Sequence, residues 1–288
     1  MKISFAEFEN RLRDFTRNPS SSDFETLAID LFRLQFNHVL AYRKFCEAEG
    51  YTPENVKVWA DIPAIPTTAF KDFELTGIPV TQRTAIFQSS GTSEQRPSRH
   101  FHNARSLALY ELSSLMWARE YLPLNGTMLF LTPSPAQAAH SSLVRMFDTF
   151  RREAALAHTM FAGHADASGG WQVDVPQIIS ELSRVIDCAT PIGVLGTAFN
   201  FVHLLDELAI RKLRVQLPPG SWILETGGYK GRSRSLPKPE LHRLLHDFFG
   251  IQPNRIVCEY GMSELSSQAY NTSLNRVVAG SRTFQFPP

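Results

Sequence analysis

Short apolar runs separated by longer helical patterns constrain this chain more than any other feature. The runs are Thr84–Gln88, Thr127–Leu131, Ile192–Gly196, Trp222–Glu225 and Arg255–Cys258. The helical patterns between them include Ala104–Glu120, with Asn103 placed as an N-cap, and "KPELHRLLHDFFG". In that second pattern Pro239 sits early, Leu241, Leu244, Leu245 and Phe248 share one face, and Gly250 is the stop. Strands alternating with helices predict an α/β fold with a mainly parallel sheet flanked by helices. In such sheets ligands sit beyond the carboxyl ends of the strands, so the loops leaving those ends are where chemistry is sought.

Ahead of this alternation the chain is helical. Ser4 and Glu7 have capping-box spacing, with Phe5, Phe8, Leu12 and Phe15 at helical intervals. Ser22 and Glu25 repeat the spacing before a long pattern ending near Gly50, with a break expected near Phe36-Asn37. The prolines of "DIPAIPTTAFKDFEL" predict irregular structure there. We therefore expect residues 1–75 to form a helical N-terminal segment packed on a main body, and residues 76–288 an α/β nucleotide-binding domain.

Composition narrows the function classes. With 43% hydrophobic and 20% charged residues the chain is globular, and a net charge of +1 gives no electrostatic case for nucleic acid. Cys46, Cys188 and Cys258 form no CxxC pair, so they suggest neither a disulfide framework nor a cysteine zinc site. The charged N-terminus lacks a signal-peptide core. The most apolar window, Pro191–Ile210, contains Asn200, His203, Asp206 and Glu207, too polar for a plain membrane span. A cytoplasmic protein is expected.

Three loops at strand ends carry the functional reading. The first is "FQSSGTSEQRPS". Gly91 lets successive N–H groups converge, Ser89, Ser90, Thr92 and Ser93 add hydroxyl donors, and Arg96 and Arg99 add charge. It is either a polar surface turn or a phosphate cradle, and it is not a Walker loop. The second, "LETGGYKGRSR", has a Gly227-Gly228 strand end where a flat ring could lie, with Tyr229 to cover it; a tight connection explains it equally well. In the third, "CEYGMSEL", Tyr260 offers a stacking face, Gly261 a turn, Ser263 a hydroxyl and Glu264 a carboxylate suited either to magnesium beside phosphates or to a helix cap.

Taken in order, these loops resemble the adenylate-forming enzymes, the superfamily of acyl-CoA ligases and amino-acid-activating domains. Ser89-Ser90-Gly91-Thr92-Ser93-Glu94 is similar to its phosphate loop, and Tyr260-Gly261-Met262-Ser263-Glu264 to its later Tyr-Gly-x-Thr/Ser-Glu motif. Within the superfamily, "IPAIPTTAFKDFEL", "LTPSPAQAAHSSLVRMF" and "ETGGYKGRSR" resemble the acyl-protein synthetases of bacterial bioluminescence, the LuxE type. The resemblance runs from about residue 20 onward.

It implies the large N-terminal domain of an adenylate-forming enzyme, using ATP and Mg2+ to activate a carboxylic acid, a fatty acid in the LuxE branch. The acyl group would pass to a protein thiol, on a reductase-like acceptor, or to CoA. Ser89, Ser90, Gly91, Thr92 and Ser93 would hold the β- and γ-phosphates, with Arg96 where many relatives carry lysine. Tyr260 would stack on adenine opposite Gly227, Gly228 and Tyr229. Gly261 and Met262 would line the nucleotide, Ser263 would bond the α-phosphate and Glu264 would hold the metal, making Thr92, Ser263 and Glu264 the catalytic set. "LFLTPSPAQAAHSSLVRMF" would supply the acyl slot. The family normally continues to a ribose-binding aspartate and a small domain with a catalytic lysine; "TFQFPP" falls before both, so either a fragment or a truncated relative is expected, and a nucleotide-binding module without turnover stays open.

Other patterns carry less. Ser263 lacks the GxSxG context of a hydrolase nucleophile. His242 and His246 have i, i+4 spacing, but Arg243 stands where HExxH needs glutamate, so a solvated or partly buried role is expected. His100 and His102 fall on one face of a strand, too few ligands for zinc. Cys258 is read as a buried strand residue.

Overall fold

The computed structural model describes residues 3–89, 96–153, 158–166, 170–229, 233–272, 274 and 283–288. Its contacts divide into two compact units. The first comprises residues 1–116 with 262–267 and 288, the second residues 117–261 with 268–287.

The first unit opens with α1 (Phe5–Arg17), fixed by the Ser4–Glu7 capping box that the spacing predicts. The next helix, α2 (Ser21–His38), starts two residues earlier than expected from Ser22–Glu25: its N-cap is Ser20, which accepts from the Asp23 N–H and donates to the Asp23 carboxylate at 2.6 Å. The anticipated break falls at Val39, an extended residue between α2 and α3 (Leu40–Ala48). Two apolar clusters hold these helices, one around Phe32, Tyr42, Cys46 and Val56 and one around Phe8, Phe15, Leu27 and Leu34. The proline-studded stretch is mostly irregular but contains one helical turn, α4 (Ala69–Asp72). An antiparallel hairpin follows, β1 (Ala85–Gln88) with β2 (Arg99–His102), and then α5 (Ala104–Tyr121), whose first turn Asn103 caps through the Ser106 N–H at 2.9 Å. The unit boundary falls within α5.

The second unit is a six-stranded sheet. Its strands are β3 (Thr127–Phe130), β4 (His158–Phe161), β7 (Ile192–Thr197), β8 (Trp222–Thr226), β9 (Ile256–Gly261) and β10 (Gln268–Tyr270), while β5 (Gly163–Ala165) and β6 (Trp171–Val173) form a small antiparallel pair. The spatial order is β10-β9-β8-β7-β3-β4, parallel except for β10. Parallel strands are covered on both faces and need apolar residues throughout. Accordingly every residue of β3, β7 and β8 is buried. On one face Leu129, Leu131, Ile223 and Ile256 pack with α7 (Val175–Asp187), α8 (Ala198–Ile210) and α9 (Lys238–Phe249). On the other, Phe130 stacks on Phe147 of α6 (Ser142–Glu153) at 5.3 Å. Helix α9 begins and ends as its sequence predicts, with Pro239 in the first turn and Gly250 left-handed at φ 70°. The apolar window Pro191–Ile210 is β7 followed by α8, and its polar residue Asn200 completes a capping box with Thr197. No described helix is long and apolar enough to cross a membrane.

Candidate functional site

The three loops separate between the units. Ser89, Arg96, Met262, Ser263 and Glu264 belong to the first; Gly227, Gly228, Tyr229, Tyr260 and Gly261 belong to the second. Ser90, Gly91, Thr92 and Ser93 lie outside the described residues.

In the first unit the described flanks of the phosphate-loop sequence, Ser89 on one side and Arg96–Ser98 on the other, adjoin the paired strands β1 and β2. Pairing of Gln88 with Arg99 brings its two ends together. The base is tied once more where Ser89 N–H donates to the Ser98 carbonyl at 3.3 Å and Ser98 N–H to the Ser89 hydroxyl at 3.0 Å. Arg96 is exposed, and Arg99 lies 3.8 Å from the Glu74 carboxylate. One residue into β2, His100 reaches the other motif: its Nδ1 donates to the Ser263 carbonyl at 2.6 Å. A carbonyl only accepts, so the proton is on Nδ1. Burial holds the His100 pKa below its ordinary value, against the Ser263 carbonyl and the Glu264 charge, which favour the imidazolium. The hairpin is thereby joined to the backbone carrying Ser263 and Glu264. Glu264 itself is partly buried and makes no ion pair among the described residues.

In the second unit β8 and β9 end side by side. Their last paired residues are Thr226 and Glu259, so Gly227 and Tyr260 follow at adjacent strand ends. Gly227 turns with φ 67°, a conformation side chains resist. A Cβ at either Gly227 or Gly228 would meet no atom of the described residues within 4 Å. Tyr260 is 40% exposed, with Phe284 and Phe286 at 5.8 and 6.1 Å from its ring. Gly261 has a steric reason as well: a Cβ there would lie 2.5 Å from Glu259 Oε1. Tyr229 is partly buried against the apolar core of this unit.

Beneath the strand ends lie two carboxylates that sequence reasoning passed over. Glu259 accepts a hydrogen bond from the Thr226 hydroxyl, and burial pushes its pKa up to about 7 despite that bond. Glu225, one residue before Thr226 and so on the opposite face, accepts from Lys238, His242 and the Cys258 thiol. The available signal was a glutamate inside each of two otherwise apolar strands, "WILET" and "IVCEYG".

The fold is similar to part of the fold of adenylate-forming ligases. The structure of 2-hydroxyisobutyryl-CoA ligase with 2-HIB-AMP and CoA in its thioesterification state aligns with a TM-score of 0.62 at 13% identity, over 90% of this chain and 54% of that one. An open conformation of the same ligase aligns at 0.58 and 14% identity, over 88% and 54%. At such identity the likeness is one of fold, and this chain spans about half the length of those structures. No curated protein gives a significant sequence match. The family is nonetheless defined by sequence: residues 8–279 match the model for "Acyl-protein synthetase, LuxE", and the chain belongs to that family.

Proposed function

We propose that this protein activates a fatty acid with ATP, in the cytoplasm, and passes the acyl group to a protein thiol. In the first step a carboxylate oxygen attacks the α-phosphorus, the bond to pyrophosphate breaks, and an acyl-adenylate forms. In the second a thiol adds to the acyl carbon and AMP leaves. The chain supplies positioning and charge stabilisation rather than a nucleophile for the first step.

In this reading residues 76–288 are the nucleotide-binding part and residues 1–75 a helical support. Ser89, Ser90, Gly91, Thr92, Ser93 and Arg96 hold the outer phosphates. Tyr260 stacks on the purine beside Gly227, Gly228 and Tyr229, with Gly261 and Met262 along the nucleotide. Ser263 bonds the α-phosphate. The Glu264 carboxylate, a hard oxygen donor free of competing ion pairs among the described residues, suits magnesium, which would neutralise phosphate charge. The segment 129–147 contributes to the acyl slot.

One observation carries this reading. The His100–Ser263 hydrogen bond ties the base of the phosphate loop to the motif bearing Ser263 and Glu264, although 163 residues separate them. The test is pyrophosphate exchange into ATP with a panel of fatty acids of graded length, followed by acyl transfer to CoA or to protein thiols. Exchange with at least one acid, lost in Ser263→Ala and shifted to higher magnesium in Glu264→Gln, is expected. ATP binding without exchange for any acid would overturn the activity, and transfer to CoA but not to protein would overturn the acceptor.

A further inference from the structure

Residues 225, 242 and 258 lie far apart in the chain, and no local motif marks them as a set. Parallel pairing places Glu225 directly beside Cys258. Strand alternation turns Glu225 to the same face as Ile223, whose cluster includes Leu241 and Leu245 of α9. His242 of that helix therefore meets both. Cys258 Sγ is 2.8 Å from Glu225 Oε1 and 3.6 Å from His242 Nε2, and His242 Nε2 is 3.3 Å from Glu225 Oε1.

Two of these separations match ligands sharing one ion; the third, Cys258 Sγ to Glu225 Oε1 at 2.8 Å, is a thiol–carboxylate hydrogen bond that must open to about 3.6 Å once the thiol proton leaves. Zinc bonds of roughly 2.0–2.1 Å to nitrogen and roughly 2.3 Å to sulfur, meeting at a tetrahedral angle, put the two atoms about 3.6 Å apart; nitrogen and oxygen come about 3.3 Å apart. The carboxylate also has acceptor capacity that its present partners leave unused. Glu225 is fully buried, and its other oxygen, Oε2, has no hydrogen-bond partner among the described residues. An unsatisfied buried acceptor is costly. His242 and Cys258 line a cleft of about 570 Å³ together with Lys238, His246 and Asn271, which gives an entry path and room for another ligand.

We propose that Glu225, His242 and Cys258 bind a divalent transition metal, zinc by their donor set, with the fourth position facing the cleft. One carboxylate oxygen, one imidazole nitrogen and one thiolate form a borderline-soft set that favours zinc over magnesium or calcium. Binding releases the Cys258 thiol proton as the sulfur–metal bond forms, and the His242 proton resides on Nδ1. Lys238, bound to Glu225 Oε1 but with a half-exposed side chain, withdraws into the cleft. Glutamate and thiolate then balance the charge of the ion. The site uses none of the residues assigned to nucleotide, so either proposal can fail alone.

The test uses the full chain, stripped with chelator and reloaded with zinc or cobalt(II). One equivalent of zinc per chain should survive gel filtration, measured by elemental analysis. The cobalt form should show a thiolate-to-metal charge-transfer band and the intense visible bands of four-coordinate cobalt. Cys258→Ser should abolish the charge-transfer band, His242→Ala should weaken affinity at least tenfold, and Cys188→Ser should change neither. Circular dichroism checks that the variants fold, and His242→Ala, at a partly buried position lining the cleft, stands in if Cys258→Ser does not. Failure of the wild type to retain zinc, equal retention by folded His242→Ala, or a cobalt spectrum without the thiolate band would each overturn the site and leave an ion-paired cluster only.

Discussion

Glu225 and Glu259 sit on neighbouring strands, both buried, and their pKa values move in opposite directions. Burial alone raises the pKa of both. For Glu225 that push is overcome by the His242 hydrogen bond, the Lys238 charge and the Cys258 thiol, and its pKa falls below the ordinary value. For Glu259 burial, aided by the repulsion of Glu225, outweighs the Thr226 hydrogen bond and the Lys238 charge, and its pKa rises to about 7. Strand alternation is the cause: it turns Glu225 toward α9, where Lys238 and His242 stand, and Glu259 to the opposite face, where Thr226 is its hydrogen-bond donor. Depth decides what ionisation would cost, and the partners decide whether it happens.

The largest expected effect comes from taking the charge off Glu225. Glu225→Gln leaves Lys238 and His242 without their anion and should destabilise the metal-free protein by about 2–3 kcal/mol at pH 7, less than a fully buried pair because Lys238 can reach water. Denaturant titration measures it. A depressed carboxylate pKa contributes stability above its unfolded value and loses it as pH falls through the folded one, so the cost should shrink in acid. An equal cost at pH 7 and below pH 4 would mean that packing, not charge, was removed.

Glu259→Gln should act with the opposite sign. A raised pKa means that wild-type stability declines as pH climbs from about 4.5, where the unfolded carboxyl ionises, to about 7, where the folded one does. The amide never ionises, so the variant should gain on the wild type by about 1–2 kcal/mol at pH 8 and little at pH 5. Thermal unfolding across that range tests it; a pH-independent difference would mean that Glu259 is ionised throughout. The smallest effect is expected for Lys238→Met. Its side chain is 48% exposed, so loss of its salt bridge should cost only about 0.5–1 kcal/mol, diminishing in high salt.

These two carboxylates also show where sequence reasoning stops. Elements with local chemistry were legible: the Ser4–Glu7 box of α1, Asn103 before α5, and Pro239 with Gly250 bounding α9. The shift from Ser22 to Ser20 at α2 reflects several serines competing for one cap. Helix α8 escaped because it is buried on nearly every side and shows no amphipathic stripe. Of the candidate site, the order of the three motifs was readable, while the His100–Ser263 bond was not, since only tertiary structure brings residues so distant in sequence together. The cluster of Glu225, His242 and Cys258 was hidden for the same reason: parallel pairing, not spacing, assembles it.

The strand order has a consequence for how the chain is made. β4 joins β3, then β7 takes the other side of β3, and β8, β9 and β10 follow outward one after another. As the polypeptide leaves the ribosome, each new strand finds a finished edge waiting, and none must be threaded between two already joined. The sheet can thus grow by accretion, in step with synthesis, with a single exposed growing edge to shield at each stage.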